Sequence, residues 1–370
     1  MAGRKPVWRL VRRVLSLGVL VLLLAAVTAY VRSSNDCPEV STPGVRTPMR
    51  AWVHCEFGGP EVLRRVELER PTPSDSQLLV RVVAASINPA DWHAMRGSPL
   101  AARVAMGWRV PSEVRFGTDF AGVVEAVGPA ATRFQPGDSV FGARTGALAE
   151  YVIVRHDRVA RKPATMTMEE AAAIPVAAVT ALQGVRDQGG VRAGQRVLVN
   201  GASGGVGTYA VQIAKALGAT VTGVSSTRNV DLVRSIGADH AIDYTTTNFT
   251  LDSTRYDVII DNVGNHSLGD LARVLTPTGR YVMIGGPSGA VLDPLPRVAA
   301  TVLRSRFSDQ SWQFFIAGVN AADLDALAEL ATQGKLRSVI DRRFAFDDAA
   351  EAVRYVETGR ARGKVVVTVP

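Results

Sequence analysis

The feature that most constrains the fold is a glycine-rich turn between an apolar run and an amphipathic segment. The stretch begins at residue 197 and reads VLVNGASGGVGTYAVQIAKALGA, and strand-like and helix-like runs alternate after it as far as about residue 285. Alternation of this kind is typical of a parallel sheet covered by helices. We therefore predict an α/β chain in which residues 176–314 form a doubly wound, Rossmann-type lobe.

The sequence before this lobe has a different pattern. From residue 49 to about 175, short apolar or alternating runs are separated by Gly and Pro turns, which indicates β-strands. From about residue 315 the pattern is again mixed, and it ends in the apolar run KVVVTV. We predict a β-rich lobe from 49–175 that is completed by 315–370. Ligands of such two-lobe proteins usually lie in the crevice between the lobes.

The glycine-rich turn has the chemistry of a dinucleotide site. Ala202, Gly204 and Gly207 occupy an A-x-G-x-x-G frame, in which the first glycine of the strict fingerprint is replaced by alanine. The frame follows an apolar strand and opens a helix, and this is the context in which it indicates dinucleotide binding. Gly204 and Gly205 allow a pyrophosphate to approach backbone N–H groups, and the helix N-terminus favours negative charge.

The second strand of this lobe indicates which nucleotide binds. A site for NAD usually places Asp or Glu at the end of that strand, where the carboxylate accepts from the ribose 2′-OH. Here the strand ends in Ser225, Ser226, Thr227 and Arg228. Hydroxyls and a guanidinium are suited to a 2′-phosphate, so the sequence predicts NADPH as the cofactor. The alternative is that Arg228 is only a solvated surface charge.

Charge and cysteine content exclude two other classes of protein. The first 48 residues carry a net charge of +5 out of the total of +8, so the remaining 322 residues carry only +3. No long basic run interleaved with aromatics occurs among them, which argues against nucleic-acid binding. The two cysteines, Cys37 and Cys55, are too few for a disulfide scaffold or a Cys-rich zinc site. We expect two unconnected thiols, with a single bridge as the alternative in an oxidising compartment.

The N-terminus carries an apolar stretch. Val14–Val31 has no charged residue, and five basic residues precede it. This length approaches the ~20 residues that span a membrane, so we predict that 1–48 is a single-pass membrane anchor followed by a linker. Charge asymmetry would place the rest of the chain outside the cytoplasm, where NADPH is scarce. The alternatives are a cleaved signal peptide and a true start at Met49.

Several motifs beyond the glycine-rich turn resemble the medium-chain dehydrogenase/reductase superfamily. They are GTDFAGVVEAVG, GALAEYV, IPVAAVTALQG and GRARGKVVVTV, in this order along the chain. The closest resemblance is to the zinc-free quinone oxidoreductase branch, including the reticulon-interacting mitochondrial reductases, and it spans residues 49–370. It implies a GroES-like catalytic lobe and a Rossmann lobe. Members commonly dimerise through the edge of the nucleotide-binding sheet, so the resemblance allows a homodimer.

Zinc-dependent members of this superfamily bind metal through a cysteine and a G-H-E-x-x-G frame. In this chain the frame reads GTDFAG, so that Thr118 replaces the histidine and Asp119 the glutamate. The stretch where the cysteine would fall, residues 86–93, reads SINPADWH. The chain is therefore expected to have no metal site. Because a bare hydride site polarises a simple ketone poorly, a conjugated acceptor is the better substrate.

The resemblance also assigns residues to roles. Asn88 and Asp91 would lie near the nicotinamide and the substrate, and Thr180 would lie near the nicotinamide end. The remaining cofactor contacts would be made by Ser203, Gly204, Gly205 and Val206 at the phosphates, by Ser226, Arg228 and Tyr244 at the adenosine 2′-phosphate, and by Arg360, Ala361 and Arg362 over the cofactor.

These observations predict an NADPH-dependent, zinc-independent oxidoreductase that transfers a hydride to a quinone or an α,β-unsaturated carbonyl. A neutral His93 is a candidate proton donor, although such a residue more often caps a surface turn. One alternative is a non-enzymatic, NADPH-binding membrane adaptor or sensor on the same fold. Another is an NADP-dependent alcohol dehydrogenase or enoyl reductase. Against it stand the missing zinc ligands and the missing tyrosine after the INPADW motif.

Overall fold

The computed structural model describes residues 46–286 and 294–370, and before them residues 20, 21, 23–28, 30, 31, 34 and 37. The strands are β1 (Pro48–His54), β2 (Leu63–Glu69), β3 (Gln77–Ile87), β4 (Asp119–Val127), β5 (Ser139–Ala143), β6 (Tyr151–Arg155), β7 (Val159–Arg161), β8 (Arg196–Asn200), β9 (Thr220–Ser225), β10 (His240–Asp243), β11 (Tyr256–Asp261), β12 (Leu275–Met283), β13 (Ser311–Phe314), β14 (Ile340–Ala345) and β15 (Lys364–Thr368).

The helices from residue 46 onward are α1 (Pro89–Arg96), α2 (Arg103–Met106), α3 (Met168–Ala172), α4 (Pro175–Leu182), α5 (Gly205–Ala216), α6 (Val230–Ser235), α7 (Leu268–Val274), α8 (Leu295–Arg304), α9 (Ala321–Thr332) and α10 (Ala349–Glu357). A π-helical turn, Gln183–Gln188, continues α4.

The first lobe is built on a mixed, mostly antiparallel sheet of seven strands. Their order is β14-β15-β3-β4-β5-β7, and β6 pairs with β3 outside this path. The strands β14 and β15 come from the C-terminal part of the chain, so the tail completes the first lobe. β1 and β2 form a separate antiparallel pair, and β1 contacts this lobe through the backbone hydrogen bond from Trp52 to Leu148 O. This is the arrangement expected for the GroES-like lobe.

The second lobe contains the parallel sheet predicted from the alternating pattern. Its six strands have the order β10-β9-β8-β11-β12-β13, and all of their pairings are parallel. The order reverses between β8 and β11, which is the point where ligands bind to doubly wound sheets. Helix α5 packs here because its apolar side chains recur at helical spacing, and Tyr209, Ala210 and Ile213 are buried. The division at residues 175/176 and 314/315 remains our proposal.

The junction between the lobes contains two helices where the sequence indicated a single helical period. Thr167 begins α3, because its hydroxyl accepts from Glu170 N at 3.1 Å while Glu170 accepts from Thr167 N at 2.8 Å. Pro175 then starts α4, since proline is tolerated at the first helical position but not inside a helix. This break directs the start of α4 toward the first lobe, where its backbone contributes to the site described below.

The prediction of an N-terminal membrane anchor is wrong. In the parts of the chain that the structure describes, no helix is both long and apolar enough to cross a membrane. The described residues between 20 and 31 are helical, whereas residues 14–19 of the apolar stretch lie outside the described residues.

The expectation about the cysteines also needs correction. Cys37 and Cys55 form a disulfide, with Cα atoms 5.4 Å apart and a sequence separation of 18 residues. The sequence could not decide between two thiols and one bridge, because the pairing depends on where the chain brings residue 37. The bond attaches the segment before β1 to the residue that follows β1.

Candidate active site

The glycine-rich turn lies where β8 ends and α5 begins, and its glycines have two different structural roles. A Cβ atom added at Gly207 would lie 2.1 Å from the carbonyl oxygen of Gly201, so this position must be glycine for the turn to close. At Gly204 the nearest atom to an added Cβ is 3.5 Å away, which leaves the approach to the loop open. Gly205 and Val206 form the first turn of α5, whose backbone N–H groups lack helical acceptors and favour an anion.

The predicted 2′-phosphate residues come together next to this loop. Ser226 and Arg228 follow the end of β9, and Tyr244, which is exposed, follows β10. Asn229 is buried between them, where its Nδ2 donates to Ser203 Oγ at 3.0 Å and to Ser226 Oγ at 3.3 Å. The Oδ1 atom of Asn229 is buried without a hydrogen-bond partner.

The C-terminal segment closes over the same loop. Gly363 N donates to Ser203 O at 2.8 Å, and Arg228 Nη2 donates to Arg360 O at 2.7 Å. Arg360 and Arg362 are exposed, and Ala361 between them is partly buried. Three arginines therefore lie beside a helix N-terminus, and their positive charge matches a nucleotide that carries an additional phosphate.

The two residues predicted at the nicotinamide end form one buried arrangement. Asn88 begins α1, and its backbone N donates to Asp91 Oδ2 at 2.7 Å. The hydroxyl of Thr118 donates to Asp91 Oδ1 at 2.6 Å. The Asp91 side chain is thus held at both oxygens, although the residue is only 5% exposed. Burial raises the pKa of Asp91 to about 6, and the hydrogen bonds from Thr118 and Asn88 counteract this effect.

Asp119 is the centre of this arrangement, and the sequence analysis did not predict that role. Its Oδ1 accepts from Val176 N, in the first turn of α4, at 3.0 Å. Its Oδ2 accepts from Ser86 Oγ at 3.0 Å, from Asn88 Nδ2 at 2.9 Å and from Lys364 Nζ at 3.4 Å. Lys364 also donates to Asn88 Oδ1. The sequence analysis gave Lys364 no role. The available signal was its position at the start of the apolar run KVVVTV, where a charged side chain is expected to be buried and to need a partner.

Thr180 and His93 lie at the edges of this network. Thr180 Oγ1 donates to Val176 O at 2.7 Å, one helical turn back toward Asp119. The His93 ring stacks on Trp92 with centroids 3.7 Å apart, and its Nδ1 is buried without a partner. Burial lowers the pKa of His93 below its usual value, so the imidazole is neutral at physiological pH.

The residues at this position do not fit a catalytic zinc ion. Thr118 is bonded to Asp91, and both oxygens of Asp119 are engaged by donors that include an ammonium group. The stretch from Ser86 to His93 contains no thiol, and the two cysteines of the chain are bonded to each other. Within the described residues, no group of three His, Cys, Asp or Glu side chains is arranged to hold a metal.

A GroES-like lobe, a doubly wound lobe and a phosphate loop facing a buried polar pocket define a nicotinamide-dependent dehydrogenase or reductase. Residues 74–164 match the family model of the alcohol dehydrogenase GroES-like domain, and residues 236–367 match that of zinc-binding dehydrogenases.

Curated proteins and solved structures match over nearly the whole chain. The chain is 35% identical to the mitochondrial NAD(P)H oxidoreductase RTN4IP1 of Mus musculus, over 89% of this chain and 92% of that protein. It is 35% identical to the 2-methylene-furan-3-one reductase of Solanum lycopersicum, over 90% of this chain and 83% of that protein. The quinone oxidoreductase of Coxiella burnetii is 32% identical with a TM-score of 0.75, covering 88% of this chain and all of that one. The chain belongs to the medium-chain dehydrogenase/reductase superfamily.

Family membership confirms two predictions made from the sequence. The chain is an oxidoreductase, and its cofactor is NADPH. The structure is consistent with this cofactor, since the open glycine loop and the exposed arginines fit a dinucleotide with a 2′-phosphate. The individual cofactor contacts remain predictions.

Proposed function

We propose that the chain reduces a quinone or an α,β-unsaturated carbonyl by transfer of a hydride from NADPH, without a metal ion. The observation that carries this proposal is the arrangement at Thr118 and Asp119, where metal-dependent relatives hold ligands: the Thr118 hydroxyl donates to Asp91, and both oxygens of Asp119 accept from protein donors. A ketone carbonyl without a Lewis acid is a poor hydride acceptor, whereas conjugation spreads the developing charge. The names of the tomato and Coxiella proteins describe acceptors of this kind.

The residues of the chain would bind, orient and supply a proton. NADPH, when bound, provides the hydride. The acceptor then gains one hydride and one proton, the proton going to the α-carbon of an enal or to the oxygen of a quinone. Asp91 holds such a proton in part of the molecules near neutral pH, because its pKa is raised to about 6. Thr118, which is partly buried, donates its hydroxyl to Asp91 and is the neighbouring group through which that proton could pass.

The test is turnover by the purified full-length protein. NADPH oxidation is measured with a set of quinones and enals and with saturated ketones and alcohols as controls. With NADPH deuterated at C4, mass spectrometry of an enal product should show the label at the β-carbon. Asn88→Ala is expected to lower kcat/KM about 10- to 100-fold, since it removes a positioned side chain. Tight NADPH binding without turnover of any quinone or enal would refute the proposal and favour an NADPH-binding adaptor or sensor.

A homodimer remains a separate proposal. β13 is the last strand of the six-stranded sheet, so the side of β13 away from β12 has no partner among the described strands. A second copy could pair along this edge. Light scattering of the purified protein tests it, and replacing a β13 residue such as Gln313 by proline should shift a dimer toward monomer.

A further inference from the structure

Lys364 is an exception to the pattern of its own strand. β15 is buried over its first four residues, and Lys364 is only 3% exposed. Lysine is among the residues most rarely buried, because removing an ammonium group from water is costly unless partners replace the water. A buried lysine therefore needs specific partners, and the identity of those partners indicates the role of the ammonium group.

The partners of Lys364 belong to the candidate active site. Its Nζ donates to Asn88 Oδ1 and lies 3.4 Å from Asp119 Oδ2. Asn88 Nδ2 donates to the same Asp119 oxygen at 2.9 Å. Both ends of the Asn88 amide are therefore engaged, which fixes the orientation of the side chain. Lys364 is separated from Asn88 by 276 residues in the sequence.

Lys364 also contacts the cofactor loop. A Cβ atom added at Gly205 would lie 3.3 Å from Lys364 Cδ, so the methylene chain passes directly beside the first turn of α5. The preceding residue, Gly363, donates from its backbone N to Ser203 O at 2.8 Å and forms a parallel bridge with Gly204. One side chain therefore contacts the phosphate loop along its stem and the Asn88–Asp119 pair at its tip.

We propose that Lys364 is a positioning residue for hydride transfer, whose ammonium group holds Asn88 and Asp119 in place while its stem abuts the glycine loop. This rests on the proposed function, since it assumes that Asn88 and Asp91 face the reacting atoms. The charged groups that act on Asp91 are Asp119 and Lys364, with opposite effects. Removing the cation leaves two carboxylates close together, so the pKa of Asp91 rises further.

The decisive variants are Lys364→Met, which removes the charge at similar length, and Lys364→Arg, which retains it. The matched control is Lys215→Met, because Lys215 pairs with Asp239 at the surface, far along α5 from the loop. We expect K364M to lower kcat about 10- to 100-fold, with a smaller change in the Kd for NADPH. The inflection of its pH–rate profile should move to higher pH. K364R should recover part of kcat, and K215M should match the wild type.

A purely structural role gives a different result. If K364M lowers the melting temperature but leaves the kcat of the folded protein and its pH profile unchanged, the proposal is wrong. Should K364M not fold, Lys364→Gln, which also removes the charge but keeps a hydrogen-bond donor, decides the question. A folded K364Q with wild-type kcat and pH profile overturns the proposal, while a kcat about 10-fold lower at near-normal stability supports it.

A second readout does not need turnover. The pKa of Asp91 is measured by 13C NMR of protein labelled at the aspartate carboxyls, with the resonance assigned by its loss in Asp91→Asn. The proposal expects a midpoint near 6 in the wild type and a higher one in K364M or, failing that, in K364Q. Equal Asp91 midpoints in the wild type and the variant overturn the proposal. A shifted midpoint in an enzyme that reduces no acceptor would instead refute the proposed function while retaining the link from Lys364 to Asp91.

Discussion

Replacing Asp119 by asparagine should destabilise the protein more than any other single-atom change in the pocket. The two carboxylate oxygens have different partners, since Oδ1 accepts from Val176 N and Oδ2 accepts from Ser86, Asn88 and Lys364. If the asparagine oxygen still accepts from Val176 N, its NH2 group faces Ser86, Asn88 and Lys364, which are all donors. If the side chain is flipped, its NH2 group faces the backbone N–H of Val176, which is also a donor.

The expected cost follows from this geometry. Asp119 is fully buried and Lys364 is 3% exposed, so removing the negative charge leaves a buried ammonium group without its counter-ion. Breaking a buried ion pair on one side typically costs about 3–5 kcal/mol. The surface pair Lys215–Asp239 is the matched comparison, because its side chains are 34% and 35% exposed. Asp239→Asn should therefore cost less than about 1 kcal/mol.

The assay is urea-induced unfolding of the wild type, D119N, K364M and the double variant. Because the double variant removes both charges, it should be more stable than the sum of the two single losses predicts, by about 1–3 kcal/mol. The reasoning is refuted if D119N lies within about 1 kcal/mol of the wild type or if the two losses simply add.

Three further predictions concern the pH response, the nucleotide and the glycine turn. Asp91 has a raised folded-state pKa of about 6, so its contribution to stability is fully present at low pH and is lost as the pH rises through 6. Relative to the wild type, D91N should therefore gain about 2 kcal/mol in unfolding free energy between about pH 4 and pH 7, measured by denaturation at both values. Arg228→Ala should weaken NADPH binding about 10- to 100-fold with little effect on NADH, in fluorescence titrations; equal losses for both would assign Arg228 to the surface. Gly204→Ala should melt like the wild type yet bind NADPH poorly, whereas Gly207→Ala should lower the melting temperature, because only its Cβ meets a backbone oxygen at 2.1 Å.

The parts of the fold that were predictable depend on local patterns. The alternation of apolar runs and helical periods predicted the parallel sheet of the second lobe, though not its number of strands, and the glycine spacing located the loop between β8 and α5. For the sheet and the loop the relevant residues are close in sequence, so that periodicity or spacing carries the information. Asn88 and Asp91 were assigned by the family resemblance alone, and they do lie together at the start of α1.

The unpredicted features depend on contacts between distant residues. Asp119 and Lys364 are 245 residues apart, and their contact exists only because the C-terminal tail returns to pair with β3. The bond between Cys37 and Cys55 likewise depends on where the chain brings residue 37. The apolar N-terminal stretch had the composition of a membrane span, but the described part of the chain contains no helix long and apolar enough to cross a membrane.

The buried groups also suggest why a pocket without a Lewis acid could assist hydride transfer. Asp91, Asp119 and Lys364 together carry a charge of −1 when Asp91 is ionised and zero when it is protonated. Hydride transfer to a conjugated carbonyl places negative charge on the acceptor, and in a dry cleft that charge acts strongly on its neighbours. A new negative charge near Asp91 raises the pKa of its carboxyl above about 6, so that the group binds a proton more firmly as the acceptor becomes an anion. Full protonation of the product then requires a proton from solvent, and the hydroxyl of the partly buried Thr118, which donates to Asp91, is the neighbouring polar group that can relay it. Thr118→Val should accordingly slow the proton step more than the hydride step, which a solvent isotope effect larger than that of the wild type would show.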